Sequence, residues 1–207
     1  MGRDQRRSVI AFTSVAAAFG FLALASVPTI DLPIAQWAAA HPRGGTFWDW
    51  GTQLLDLVAL KKISNFLLGP ILLLAGGALL LLRTTRRNGW MLLYVGAVQF
   101  TTTVVADLAK PLIGRLRPEE AIAGADKWLA AGNSFPSGHT AFYAGLFFPL
   151  MLIAPRWTFL WAIPPLFIAA ARVLEHDHYL SDVSASLALA ALVAGGLAFI
   201  LRRADDY

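Results

Sequence analysis

Residues 183–201 read VSASLALAALVAGGLAFIL, a run of nineteen residues without a charged side chain. At 1.5 Å per residue, a helix of this length spans about 28 Å, close to the roughly 30 Å of hydrocarbon in a bilayer. Five more apolar runs predict membrane helices at 9–27, 63–82, 89–109, 139–155 and 157–173. The sequence therefore predicts an all-α polytopic membrane protein, a bundle of six transmembrane helices that forms a single integral-membrane domain over residues 1–207.

The composition points the same way. Of the 207 residues, 57% are hydrophobic and only 14% are charged, and the mean hydropathy is +0.59. Charged residues approach a quarter of an ordinary soluble domain. The chain has no cysteine, which excludes disulfides and thiolate catalysis. Its net charge of +4 comes from basic residues that flank apolar spans, where they serve topology and anionic headgroups, so nucleic acid is not expected as a partner.

The distribution of positive charge predicts the orientation. Nine arginines fall at one face of the predicted bundle: Arg3, Arg6, Arg7, Arg83, Arg86, Arg87, Arg156, Arg202 and Arg203. By the positive-inside rule this face and both termini are cytoplasmic, and the composition and short loops indicate a bacterial inner membrane, with the opposite face toward the periplasm. The other basic residues need another explanation: Arg43, Lys61, Lys62, Lys110, Arg115, Arg117, Lys127 and Arg172.

The longest loop, residues 28–62, lies on the outer side. Leu54, Leu57 and Val58 follow helical spacing ahead of Lys61 and Lys62, which predicts an interfacial helix lying on the outer headgroups. An aromatic belt and a lipid-guiding surface are both consistent with its tryptophans.

Three polar clusters lie on the same outer side. The first ends the third span with Lys110, Arg115 and Arg117, in a stretch that also holds Pro111 and Pro118. Lysine supplies a point charge and arginine a bidentate fork for phosphate oxygens, so this cluster suits a phosphoryl group. A headgroup anchor with snorkelling side chains is the alternative.

The second cluster is FPSGHT at 135–140, directly before the fourth span. Ser137 is a good N-cap, Gly138 lets an anion approach the backbone, and the N–H groups of the helix start point at that anion. His139 then lies in the first turn as a candidate general acid. A capped helix with an interfacial histidine is the alternative.

The third cluster is RVLEHDHYLSD at 172–182, between the fifth and sixth spans. Asp182 follows His178 by one helical turn and can accept an N–H from one imidazole nitrogen, which leaves the other nitrogen free to attack. Metal binding by His176, Asp177 and His178 is the competing hypothesis, but neighbours in sequence rarely converge on one ion, so no metal is expected.

In order, the three clusters resemble the tripartite signature of the type 2 phosphatidic acid phosphatase superfamily. The matching patterns are Lys110-x6-Arg117-Pro118, Pro136-Ser137-Gly138-His139 and Arg172-x5-His178-x3-Asp182. The resemblance implies that His178 attacks phosphorus, His139 protonates the leaving group and Asp182 orients the nucleophile. It also implies a phosphate site made by Lys110, Arg117, Arg172, Ser137 and the Gly138 backbone. Neither cofactor nor metal is expected, because these cations and the helix start supply the electrostatic stabilisation.

Two features depart from the family pattern. Ala171 stands where a serine usually precedes the arginine of the third motif, so one hydrogen bond is expected to be missing. Glu175, His176 and Asp177 replace the small or apolar residues that are common before the nucleophile. Tuning of His178 and contact with a substrate headgroup are both open roles for them.

The resemblance implies an integral-membrane lipid phosphate phosphatase that hydrolyses a phosphomonoester or pyrophosphate of a membrane lipid through a phosphohistidine intermediate. Phosphatidic acid, phosphatidylglycerophosphate, a polyprenyl pyrophosphate and a lipid A phosphate offer the same group, and the sequence leaves the choice open. A lipid phosphotransferase using the same intermediate is the alternative. A transporter with a cationic substrate site is disfavoured, because Pro164-Pro165 is the only strong break inside a span.

Overall fold

The apolar runs form helices in the computed structural model of the protein, which describes residues 3–41, 47–121 and 128–204. All regular elements within these ranges are helical, which confirms the predicted all-α class. The α-helices are α1 (Arg3–Thr29), α2 (Asp31–Ala40), α3 (Phe47–Val58), α4 (Leu68–Leu80), α5 (Arg86–Ile113), α6 (Gly138–Ile153), α7 (Thr158–Leu174) and α8 (Leu180–Ala204). Short 3-10 turns occupy Arg83–Thr85, Pro118–Glu120 and Pro155–Trp157.

Among the described residues, four helical segments are long and apolar enough to cross a membrane: Ile10–Thr29, Arg83–Glu120, Pro155–Leu174 and Leu180–Phe199. Two apolar helices are shorter, α4 with 13 residues and α6 with 16. At 1.5 Å per residue they measure about 20 and 24 Å. The helix predicted over 63–82 begins only at Leu68, because turns closed by the Lys61–Asn65 and Ser64–Phe66 hydrogen bonds precede it. The count of six spans therefore stays a prediction.

Helix α8 lies at the centre of the bundle, against α1, α5 and α6. Its buried face is rich in small side chains, which let neighbouring helices approach closely, as is common in membranes. Gly195 shows this directly, since a Cβ atom there would lie 3.0 Å from Phe12 of α1. Buried aromatic and aliphatic residues of the neighbouring helices complete this core, among them Tyr94 and Val98 of α5 and Phe148 of α6.

The long loop contains two helices, α2 and α3, where the sequence predicted one. Helix α3 carries an exposed apolar stripe that comprises Phe47, Trp50, Leu54, Leu57 and Val58. Its opposite face packs on the bundle, with Thr52 buried and Leu55 and Ala59 in a small core cluster with Phe142 and Ile168. A helix with one apolar exposed face is therefore present where the sequence predicted an interfacial helix, and its position on the outer headgroups stays a prediction.

Candidate active site

The three sequence clusters meet at one end of the bundle. The Lys110 ammonium, on the last turn of α5, lies so close to the start of α6 that a Cβ atom on Gly138 would be 2.8 Å from it. The backbone N–H of Ser137 donates to the carbonyl of Asp182 at 3.3 Å, and the N–H of His178 donates to the carbonyl of Arg172 at 3.1 Å. These contacts join the ends of α5 and α7 to the starts of α6 and α8. At the opposite end, Arg83 and Arg156 lie in the connections between helices, and Arg86 and Arg87 lie in the first turn of α5.

His178 and Asp182 face each other at the start of α8. The Nδ1 atom of His178 lies 3.4 Å from Oδ2 of Asp182, and both side chains are buried. As the third residue of the helix, Asp182 also accepts the backbone N–H of Tyr179 at 3.0 Å, in the manner of a capping box. The helix start therefore holds the carboxylate against the imidazole, and Nε2 of His178 points away from it.

Ser134 completes the surroundings of this carboxylate. Its hydroxyl donates to Oδ2 of Asp182 at 2.5 Å, and its Oγ lies 3.4 Å from Nδ1 of His178. The side chain is fully buried. The sequence analysis missed Ser134 because it lies outside the second cluster, residues 135–140. Its position directly before that cluster was the one sequence feature that could have pointed to it.

Arg115 binds the other oxygen of Asp182. Its Nη1 donates to Oδ1 of Asp182 at 2.5 Å and to Oγ of Ser181 at 2.6 Å, while Nη2 donates to Asp31 of α2 at 2.8 Å. The guanidinium is fully buried and lies over the ring of Tyr179, 3.9 Å from its centroid. Arg115 therefore lies behind the His178–Asp182 pair and links it to α2.

His139 has its own carboxylate. Its Nε2 lies 3.2 Å from Oδ2 of Asp56 in α3, and the Tyr143 hydroxyl donates to Oδ1 of the same residue at 2.8 Å. Burial opposes the charge of Asp56, but its contacts with His139, Tyr143 and Lys61 outweigh burial and hold its pKa below the ordinary value.

Lys61 is a further cation at this end of the bundle. Its side chain is buried, donates to Asn65 at 2.6 Å and lies over the Phe142 ring. Burial lowers the pKa of Lys61 to about 8, against the attraction of Asp56, and the charges of Lys110 and Arg172 lower it as well. The sequence signal for Lys61 was its place on the predicted outer side, where the positive-inside rule does not explain a lysine.

Arg172 is bound by the carboxylates of Glu175 and Asp177, whose role the sequence left open. Its guanidinium donates to Glu175 and, at 2.5 Å, to Asp177. Its buried Nε atom has no hydrogen-bond partner among the described residues. Glu175 and Asp177 thus orient the arginine, while the intervening His176 takes a left-handed conformation with φ of 65°.

The other motif residues are placed as follows. Ser137 caps α6, accepting the N–H and hydroxyl of Thr140 at 3.5 and 3.1 Å. Arg117 lies farther out, where its Nε donates to Asn133 at 2.8 Å and its guanidinium stays 3.7 Å from Glu119. Within the described ranges, no contact links Arg117 to the His178–Asp182 pair. Ala171 is fully buried, and Arg43 and Lys127 lie outside the described residues.

Comparison with known proteins gives concordant results. The PAP2 superfamily pattern matches residues 88–205, more than half of the chain, and this segment holds all three motifs. The lipid A 1-phosphatase of Rhizobium etli is 34% identical over 109 residues, 46% of this chain and 45% of that protein. The lipid A 1-phosphatase of Rhizobium johnstonii is 33% identical over 112 residues, 47% of this chain and 44% of that protein. The similarity thus spans less than half of either relative.

A solved structure extends the likeness of the fold. The crystal structure of a transmembrane PAP2 type phosphatidylglycerolphosphate phosphatase from Bacillus subtilis superimposes with a TM-score of 0.51. It is 22% identical, and the match covers 99% of this chain and 96% of the other. The motif-bearing segment and the helical fold agree, and the chain belongs to the PAP2 superfamily.

Proposed function

We propose that the protein is an integral-membrane lipid phosphate phosphatase that hydrolyses a phosphomonoester or pyrophosphate through a phosphohistidine on His178. The observation that carries this proposal is the His178–Asp182 pair, buried beside a concentration of cations at one end of an apolar helix bundle. With Nδ1 held toward Asp182, the nucleophile is Nε2. Family membership supports the reaction class.

The reaction has two steps in this proposal. The Nε2 lone pair of His178 forms a bond to phosphorus while the bond from phosphorus to the lipid oxygen breaks, and His139 gives that oxygen a proton. Water then attacks the phosphohistidine, His139 takes a proton from the water, and His178 leaves as a free imidazole. Asp182 stabilises the positive charge on the ring without itself taking the proton.

The phosphoryl oxygens are held by cations and backbone donors. The Lys110 ammonium lies beside Gly138, where the first N–H groups of α6 also point outward, so a phosphate there meets a point charge and a helix start together. Arg172 contributes its unpartnered Nε. Arg117 closes the outer edge of this site, and Ser137 holds the helix start in shape. The bound phosphate needs no metal in this mechanism.

A lipid substrate is favoured by the surroundings of the site. The exposed stripe of α3 presents large apolar side chains on the face opposite Asp56, which suits an interfacial helix at the outer headgroups. We propose that α4 and α6 also cross the bilayer, so that six spans place the site at the headgroup plane. Their short lengths are accommodated by apolar flanking turns and local thinning.

Phosphate release from defined lipids tests the function. Purified protein in detergent with excess EDTA should release inorganic phosphate from at least one of phosphatidic acid, phosphatidylglycerophosphate, a polyprenyl pyrophosphate and a lipid A phosphate. Vanadate should inhibit the release, because it mimics trigonal-bipyramidal phosphorus. Labelled phosphate recovered on a lipid or sugar hydroxyl would instead indicate the phosphotransferase. A requirement for an added divalent ion would contradict the metal-free mechanism.

Cysteine labelling tests the orientation, since the natural sequence contains no cysteine. Ala131→Cys, exposed at the site end, should react with a membrane-impermeant thiol reagent outside spheroplasts of an expressing bacterium. Thr84→Cys, exposed in the connection between α4 and α5, should react only after the membrane is opened. The reverse pattern would place the site in the cytoplasm and exclude periplasmic lipids as substrates.

A further inference from the structure

Asp56 lies outside the segment matched by the family, yet it is the carboxylate that contacts His139. Its side chain is only 14% exposed, and both of its oxygens are engaged, Oδ2 by His139 and Oδ1 by Tyr143. A carboxylate removed from water needs such partners. The contact joins residues 83 positions apart, so it results from the docking of α3 and not from local geometry.

The docking of α3 is built from aromatic side chains. Trp48 stacks on Phe167 of α7 with ring centroids 5.1 Å apart, and Phe47 meets the same ring edge-on at 5.5 Å. Gly51 permits this approach, because a Cβ atom there would lie 2.4 Å from the Phe167 ring. The helix is thereby anchored at its start, and the turn that follows is closed by the Lys61 N–H on the carbonyl of Asp56 at 2.9 Å.

We propose that Asp56 is a positioning residue that keeps His139 in the form and orientation of a general acid. The inference rests on the proposed function. Asp56 accepts the Nε2–H of His139, which directs the opposite nitrogen, Nδ1, to the leaving oxygen. The P–O bond breaks as Nδ1–H passes its proton to that oxygen, and Nδ1 accepts a proton from water when the phosphohistidine is hydrolysed.

The charges around His139 show why it needs this carboxylate. Burial of the ring acts most strongly against a positive imidazole, and Lys61, from the turn after α3, and Arg172, from α7, act against it as well. Asp56 is the anion in direct contact and acts in the opposite direction, because it stabilises the ring that carries the two protons a donor requires. The two histidines thus contact their carboxylates through different ring nitrogens, His178 through Nδ1 and His139 through Nε2.

Asp56→Asn tests the proposal, because it keeps the shape and removes the charge. On a lipid with an alkoxide leaving group, the rate of phosphoenzyme formation should fall about 10²-fold, within the range of general acid assistance. On para-nitrophenyl phosphate, whose leaving group needs little protonation, the rate of phosphoenzyme formation should fall less than about 5-fold. The alkaline limb of the lipid pH profile should move to lower pH, since the acid form of His139 is less stabilised.

Further variants separate this role from a structural one. Asp49→Asn removes another carboxylate from α3, and its rates with both substrates should stay within about 2-fold of the wild-type rates. Asp56→Glu should recover part of the lipid activity, and it serves as the test if Asp56→Asn does not fold. Lys61, with a pKa of about 8, can also contribute to the alkaline limb of the pH profile. The shift of this limb caused by Asp56→Asn should therefore also appear when Asp56→Asn is added to a Lys61→Gln protein. Tyr143→Phe should have a smaller effect than Asp56→Asn.

The outcomes are distinct. The role of Asp56 would be overturned if Asp56→Asn slowed phosphoenzyme formation equally on both substrates and left the pH profile unmoved. Unchanged lipid turnover in Asp56→Asn would also overturn it. Absence of phosphate release by the wild-type protein from every lipid and from para-nitrophenyl phosphate would instead overturn the proposed function itself.

Discussion

His178→Ala should abolish the phosphoenzyme on every substrate, because no other group in the proposed mechanism attacks phosphorus. His139→Ala should still form it. Its turnover on a lipid should fall 10²–10⁴-fold, about 3–5 kcal/mol of transition-state stabilisation, since an alkoxide leaves poorly without a proton. On para-nitrophenyl phosphate the His139 variant should recover most of its rate of phosphoenzyme formation, and the His178 variant none. Asp182→Asn should fall between them, because it weakens control of the His178 tautomer.

Rapid-quench trapping with phosphate-labelled substrates measures these differences. The acid-labile label on the protein is counted for wild type and the three variants, with lipid and with para-nitrophenyl phosphate. Asp49→Asn, whose carboxylate accepts a hydrogen bond from Gln53 of the same helix, is the control for preparation and folding. Label trapped in His178→Ala, or equal rescue of the two histidine variants, would mean that the nucleophile and the acid have been interchanged or misassigned.

Arg115→Met should be the most destabilising single change outside the reacting groups. The methionine fills much of the space between Trp128 and Tyr179, but it leaves the carboxylates of Asp31 and Asp182 buried without their common cation. Breaking a buried ion pair on one side typically costs about 3–5 kcal/mol, because the remaining charge stays out of water. Arg115→Lys should lose less, since it keeps the charge and gives up the two-pronged geometry.

Thermal unfolding in detergent tests this expectation, with Arg156→Met as the control, because Arg156 lies exposed in the connection between α6 and α7. Arg156→Met should unfold within a few degrees of wild type. Adding Asp31→Asn to Arg115→Met should cost less than the sum of the single changes, because the second change removes one of the orphaned charges. An Arg115→Met protein as stable as the Arg156→Met control would contradict the structural role of the ion pair.

Local patterns in the sequence predicted much of the fold and part of the site. The apolar runs agree with the ends of α1 and of α4 to α8 to within six residues. The largest differences are the start of α1, six residues earlier than predicted, and the start of α4, five residues later, after turns with hydrogen bonds in residues 61–66. The spacing of His178 and Asp182 predicted their contact, because residues four apart share a helix face. Ser137 was predicted as an N-cap for the same reason, since capping depends on the next few residues.

The long-range partners of these residues could not be predicted from local patterns in the sequence. Arg115 was grouped with Lys110 and Arg117 as a candidate anion ligand, but the fold turns it away to Asp31, 84 residues distant, and to Asp182. No pattern in the sequence singled out Asp56, which meets His139 because α3 docks on α7 beside it. The sequence by itself thus determined the helices, the caps and the His178–Asp182 pair, because these depend on neighbours within one helical turn. Only the tertiary structure decided which buried charges meet, because a carboxylate withdrawn from water takes whichever cation or donor the packing of distant helices brings to it.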